Sequence, residues 1–154
     1  MPIKLRDPLP ELRGATEWIN GEATNEGLAG KPVLVHFWAV SCYMCKEGLP
    51  KLKEWRNTLL RRYGVELVGI HMPRSEEDTD VQAVREAVAR YGLEHPIAVD
   101  NEHAITDAFQ NEYVPAYYLF DEQGQMRFYG AGEKALNLVE QRLHKLFEKG
   151  AEAG

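Results

Sequence analysis

The chain is 154 residues long, 44% hydrophobic and 27% charged, with a formal net charge of −6. That length suits one domain with a substantial buried core, and no low-complexity tract or internal repeat points to a fibre or an array. The 18 basic residues are scattered, so the positive footprint that nucleic acid or an anionic membrane surface requires is missing.

The start, "MPIKLRDPLPEL", lacks the apolar core of a signal peptide and reads as a mature N-terminus, so a cytoplasmic protein is expected. With Pro2, Pro8 and Pro10, these residues predict irregular or edge structure. "TEWING" predicts a short strand closed by the Asn20-Gly21 turn, and Thr24 a cap on a short helical turn. "PVLVHFWAV" reads as a buried central strand; its apolar pieces, "VLV" and "FWAV" split by His36, are far too short to span a membrane. Leu49, Leu52, Trp55, Leu59 and Leu60 recur at helical spacing, predicting a helix from about Tyr43 to Tyr63, kinked at Pro50 and stopped by Gly64.

"VELVGIHM" is the next buried strand, followed by a polar loop, "PRSEEDTD". Val81, Val84, Val88 and Tyr91 then predict a helix ended by Gly92. "PIAVD" reads as a short strand and "HAITDAFQ" as a short helix. "VPAYYLFD" and "MRFYG" predict an antiparallel hairpin around Gln123-Gly124. Leu136, Val139, Leu143, Leu146 and Phe147 line one face of a closing helix, beyond which 151–154 are expected to fray. Alternating strands and helices predict a mixed, mostly parallel sheet covered on both faces, with chemistry at the carboxyl ends of its strands.

Both of the chain's cysteines, Cys42 and Cys45, stand where the first buried strand gives way to a helix. A disulfide between them closes almost no loop, so it stabilises the fold little. Structural zinc calls for four ligands, whereas one pair is present and the five histidines show no His-x3–5-His spacing. Neither metal nor cofactor is expected. Redox chemistry suits the position. At a helix start, free N–H groups and the positive end of the helix dipole stabilise a thiolate, the species that attacks a disulfide. Cys45, one turn later, is placed to resolve the resulting mixed disulfide.

The segment "VLVHFWAVSCYMCKEGLP" resembles the active-site region of the thioredoxin superfamily. "YVPAYYLF" is similar to that superfamily's strand opened by a cis-proline, and "FYGAGEKALNLVEQRL" to its final strand, glycine and helix. Pro50 stands where a kinking proline follows the second cysteine. The extra helix and strand from about Asp80 to Val99 resemble the ResA/TlpA-like branch, and the likeness covers most of the chain.

The resemblance implies a thioredoxin-like α/β fold. A central mixed sheet is flanked by helices on both faces, with a helix–strand insertion before the cis-proline strand. It implies Cys42 as the attacking thiol, Cys45 as the resolving thiol and Pro115 as the cis-proline. Beside it, the main chain of Val114 would pair with an extended substrate segment. The partners implied are protein disulfides and a thiol electron donor, with the protein expected to act as a monomer without nucleic acid or membrane.

Several positions depart from the pattern. His36 stands where an acidic residue usually handles the proton of the resolving cysteine, and it is a candidate relay or a satisfied core residue. Gly48 stands where the ResA-like branch often has a glutamate; the neighbouring Glu47 points about 100° away and is expected in solvent. Ser41 replaces a tryptophan, while Trp38 matches another family tryptophan near the site, a position that packing alone explains equally well. Tyr43 and Met44 present apolar surface to a substrate or cover Cys45. His71 is a candidate rim residue, or a surface or capping histidine. Two other readings remain: a peroxiredoxin-like peroxidase, for which "WAVSC" lacks the proline, and a non-catalytic interaction module with idle cysteines.

Overall fold

A computed structural model describes residues 2–148; the expected frayed end at 151–154 falls outside them. In chain order the elements are β1 (Glu17–Ile19), α1 (Asn25–Leu28), β2 (Val33–Trp38), α2 (Tyr43–Asn57), α3 (Leu59–Tyr63) and β3 (Glu66–His71). After a 3-10 turn (Glu76–Thr79) come α4 (Val81–Arg90), β4 (Ile97–Val99), α5 (Ala104–Phe109), β5 (Ala116–Phe120), β6 (Met126–Ala131) and α6 (Ala135–Leu143), whose last turn widens into a π-helix (His144–Glu148).

The strands form one six-stranded sheet in the order β1-β4-β3-β2-β5-β6. Its centre, β2 with β3 and β3 with β4, is parallel. The β1–β4, β2–β5 and β5–β6 pairs are antiparallel. The sheet is therefore mixed, but antiparallel pairs outnumber parallel ones, against the expectation of a mostly parallel sheet. The terminal hairpin and the short N-terminal strand each add antiparallel edges to a parallel core.

Every residue of β2 is buried, as its unbroken apolar run predicts. Successive side chains of a strand face opposite ways, and β5 shows the two layers. Phe109 of α5 packs edge-on against Tyr118, with ring centroids 5.0 Å apart. On the Tyr117 side, α2 and α6 close so tightly that a Cβ on Gly48 would lie 3.1 Å from Leu136 Cδ1 and 3.2 Å from the Tyr117 hydroxyl. The insertion is also present: α4 and β4 precede the cis-proline strand, and β4 extends the sheet through Gly69–His71.

One boundary differs from the sequence expectation. The helix from Tyr43 continues through Pro50 but breaks at Thr58, where the hydroxyl donates to the Glu54 carbonyl at 2.9 Å. A threonine that bonds back to the i−4 carbonyl competes with the helical ladder and favours a bend. Gly64, at φ 71°, ends α3 in the left-handed conformation.

Candidate active site

Where β2 ends, residues Ala39 to Cys42 turn the chain into α2. Cys42 occupies the N-cap position with extended backbone, and its sulfur accepts the Cys45 amide at 3.1 Å. One of the free N–H groups at the helix start is thus satisfied by sulfur. Cys42 and Cys45 form a disulfide, with Cα atoms 5.2 Å apart. Both residues are only 2% exposed. The Cys42 side chain turns back toward the Cys45 amide. The flanking Ser41, Tyr43 and Met44 are the exposed residues of this turn.

The Val114–Pro115 peptide bond is cis, as the sequence resemblance implies. Pro115 meets α2 across a groove of about 190 Å³ that is also lined by Met44, Gly48, Tyr117 and Leu136. Val114 and Pro115 are themselves buried, while Tyr113 just before them is 62% exposed. Tyr43 at 76% and Met44 at 43% exposure lie where a substrate can touch them. Glu47 is exposed, as expected.

Two candidate site residues lie in the buried strand β2. Trp38 is 1% exposed and packs edge-on against His71, centroids 4.9 Å apart, so its side chain supports the site from below and does not line a substrate path. His36 is also 1% exposed, and its Nε2 lies 2.8 Å from Nε2 of His95. Among the described residues its hydrogen bond is to His95 and to neither cysteine. Burial, then the neighbouring His95, holds its pKa well below the ordinary histidine value. His95 is lowered to about 3 by burial and then by the Arg56 charge. The two rings are therefore a neutral pair, one donating and one accepting.

Of the groups that fix the cysteine turn, the sequence singles out His71 and Ser41 but not Asp78, Arg74 or Asn111. His71 is neither rim nor surface: it is fully buried, and its Nε2 accepts the Val40 amide at 3.1 Å. Burial lowers its pKa to about 4, opposed by the Asp78 charge and a backbone hydrogen bond. Ser41 donates its hydroxyl to the buried Asp78 at 2.8 Å. Arg74 holds the Ser41 carbonyl and hydroxyl at 3.2 and 3.3 Å. On the opposite side, Asn111 donates to the Tyr113 carbonyl at 2.8 Å while accepting the Tyr118 hydroxyl at 2.8 Å. Among the described residues, no group of three or more His, Cys, Asp or Glu side chains is placed to hold a metal ion.

Sheet order, helical layers, the two-cysteine helix start and the cis-proline opposite it define a thioredoxin-like fold. The chain belongs to the Redoxin family, whose model matches residues 5–143. It is 48% identical over 145 residues to the thiol-disulfide oxidoreductase YkuV of Bacillus subtilis, covering 94% of this chain and 97% of that protein. The thiol-disulfide oxidoreductase ResA of Bacillus thuringiensis is 30% identical over 122 residues, covering 77% of this chain and 65% of ResA. The solution structure of a thioredoxin-like protein in its oxidised form superposes with a TM-score of 0.85 at 46% identity, covering 96% of this chain and 99% of the other. The protein is thus a homologue of thiol-disulfide oxidoreductases whose Cys-x-x-Cys pair lies at disulfide distance.

Proposed function

We propose that the protein is a cytoplasmic, monomeric dithiol–disulfide oxidoreductase that reduces protein disulfides through a mixed-disulfide intermediate. The observation that carries this reading is the sulfur of Cys42 at the N-cap of α2, joined to Cys45 and accepting its amide. In the reduced protein the same position places a Cys42 thiolate against free N–H groups, which lowers the thiol pKa and supplies the nucleophile.

The electrons balance in two displacements. The Cys42 thiolate attacks one sulfur of a substrate disulfide, forming a Cys42–substrate bond and expelling the other substrate sulfur as a thiolate. Cys45, deprotonated, then attacks the Cys42 sulfur, forms the internal disulfide and expels the second substrate thiolate. Two electrons leave the protein, the substrate thiolates take up two protons, and an external thiol donor restores the dithiol. Tyr43 and Met44 supply apolar contact to the incoming segment, and the Val114 main chain pairs with it. The Ser41 hydroxyl is engaged by Asp78 and Arg74, which weighs against a peroxidase arrangement.

Insulin reduction with dithiothreitol tests the assignment: the wild-type protein accelerates precipitation, and Cys45→Ser accumulates mixed disulfides with its substrates. Absence of acceleration by the wild type would remove the assignment. His36 is the proposed proton carrier for Cys45 in this scheme, against the simpler account of a satisfied pair with His95. His36→Ala slows resolution in a pH-dependent way if it carries the proton, and leaves that profile unchanged if it does not.

A further inference from the structure

Three segments meet at the cysteine turn, and one of them carries charge to it. The loop after β3 brings Asp78, 1% exposed, against the Ser41 hydroxyl. The same carboxylate oxygen accepts the Arg74 amide at 2.9 Å. That bond folds the loop so that the Arg74 side chain returns to Ser41, donating from Nη2 to its carbonyl and from Nε to its hydroxyl. Arg74 is exposed, and nothing in the packing of the core requires it there. Its guanidinium is nonetheless tied at two points to the residue that precedes Cys42.

We infer that Arg74 is a positioning residue for the exchange reaction: clamped on Ser41, it keeps a permanent positive charge beside Cys42 and favours the reduced, thiolate form of the pair. This inference rests on the oxidoreductase reading above. The Ser41 carbonyl belongs to the peptide unit that leads into Cys42, and a guanidinium bonded to it offsets the negative end of that unit's dipole. A cation adjacent to a thiol stabilises its anion. Stabilising the thiolate stabilises the reduced state, so the equilibrium of the protein disulfide with two glutathione thiols, yielding the dithiol and one glutathione disulfide, shifts toward the dithiol.

Other ionisable groups belong to the elements around this turn. Asp78 and the neutral His71 belong to the β3 side, Lys46 and Glu47 follow Cys42 on α2, and Glu112 and Tyr113 precede the cis bond. Glu133 lies across the groove. Of these, Asp78 is the one hydrogen-bonded into the Ser41 and Arg74 network, and its sign opposes that of Arg74. The two residues therefore make separable predictions: an electrostatic role gives opposite shifts when each is neutralised, while simple loosening of the turn gives the same shift for both.

The test titrates the Cys42 thiolate by its ultraviolet absorbance in a Cys45→Ser background, and equilibrates the intact pair with glutathione. Arg74→Gln keeps a hydrogen-bonding side chain without charge. The expected result is a higher thiol pKa and a dithiol–disulfide equilibrium moved about twofold to fivefold toward the disulfide, the scale of an exposed charge. Arg74→Lys restores most of both values, and Asp78→Asn shifts both the opposite way. Unchanged pKa and equilibrium in Arg74→Gln, failure of Arg74→Lys to restore them, or parallel shifts in Arg74→Gln and Asp78→Asn overturns the inference. Wild-type turnover of insulin with an unshifted Arg74→Gln sinks this proposal alone, whereas absent wild-type turnover sinks the functional assignment instead.

Discussion

Helices α2 and α5 begin in the same way and are finished differently. Each starts just past the carboxyl end of a strand and leaves N–H groups that need an acceptor. At α5 the acceptor is Asp100, fully buried, which takes the Ile105 amide at 3.1 Å and both the amide and hydroxyl of Thr106 at 2.7 Å. At α2 it is the sulfur of Cys42, which takes one amide. A carboxylate has no redox chemistry, so the start of α5 is the same in reducing and oxidising conditions. A sulfur is a weak acceptor in a disulfide and a strong one as a thiolate, so the start of α2 gains stabilisation when the pair is reduced. The difference shows how an ordinary capping requirement becomes a redox device when the cap can change its charge.

The sharpest way to break the comparison is to replace the sulfur by oxygen. Serine is itself a favourable N-cap, so Cys42→Ser keeps the helix start and is expected to lie within about 1 kcal/mol of the reduced wild type in a urea melt. Its insulin-reduction rate is expected to fall at least about a thousandfold, to buffer background, because a hydroxyl does not exchange with disulfides. Substantial loss of stability would mean that the cap, more than the chemistry, holds this turn.

Acid sharpens the same contrast, because the turn before α2 leans on a neutral imidazole. His71 and His95 have pKa values of about 4 and about 3, and His36 lies well below the ordinary value of 6.5. These folded-state values are below those of the unfolded chain, so the unfolded chain takes up the protons first. Stability is therefore full above pH 6.5 and declines as pH falls toward 4. Each imidazole held neutral costs about 1.4 kcal/mol per pH unit in that window, so His71 and His95 together are expected to remove about 3 kcal/mol by pH 5.5, with His36 acting in the same direction. Denaturant melts at pH 7.5 and 5.5 measure this; equal midpoints would show that the rings take up protons in the folded protein.

At α5 the expected effect is smaller and confined to stability. Asp100→Ala strands three buried donors, and losing a buried, charge-assisted acceptor costs about 2–3 kcal/mol. Turnover per folded molecule is expected to match the wild type. A matched fall in turnover would show that α5 and the neighbouring cis-proline segment are coupled to the cysteine site.

Much of this organisation is legible in the sequence because it rests on local rules. The apolar run of Val33–Trp38, the periodic leucines of α2, the Asn20-Gly21 turn and the Cys-x-x-Cys spacing each state their structure within a short window. What is not legible depends on contacts between distant segments. Asp78 sits in the run "SEEDTD", which reads as a solvated acidic loop, yet the 3-10 turn directs it onto Ser41, 37 residues away. His36 looks like a lone polar residue in an apolar strand until β4 brings up the segment carrying His95, 59 residues on. Trp38 matches a family position, but alternation in β2 and its contact with His71 decide that it is packed beneath the site. The first sulfur is read correctly in place, but spacing does not say which way an N-cap side chain turns, and its burial appears only in the fold.

A third cap tests whether position alone determines what a capping residue is worth. Thr24 accepts the Gly27 amide at 3.0 Å at the start of α1, an exposed four-residue helix with no buried side chain. The hydrogen bond is local and open to water, so its loss is offset by solvation in a way that the loss of Asp100 is not. Thr24→Ala is expected to cost about 0.5–1 kcal/mol, seen as a lower denaturant midpoint at an unchanged slope, with insulin turnover equal to the wild type. A cost as large as that of Asp100→Ala would show that α1, despite its exposure, anchors the N-terminal segment to the sheet. Asn25 already links the two, accepting the Leu12 amide at 2.8 Å and donating to the Pro10 carbonyl at 3.0 Å.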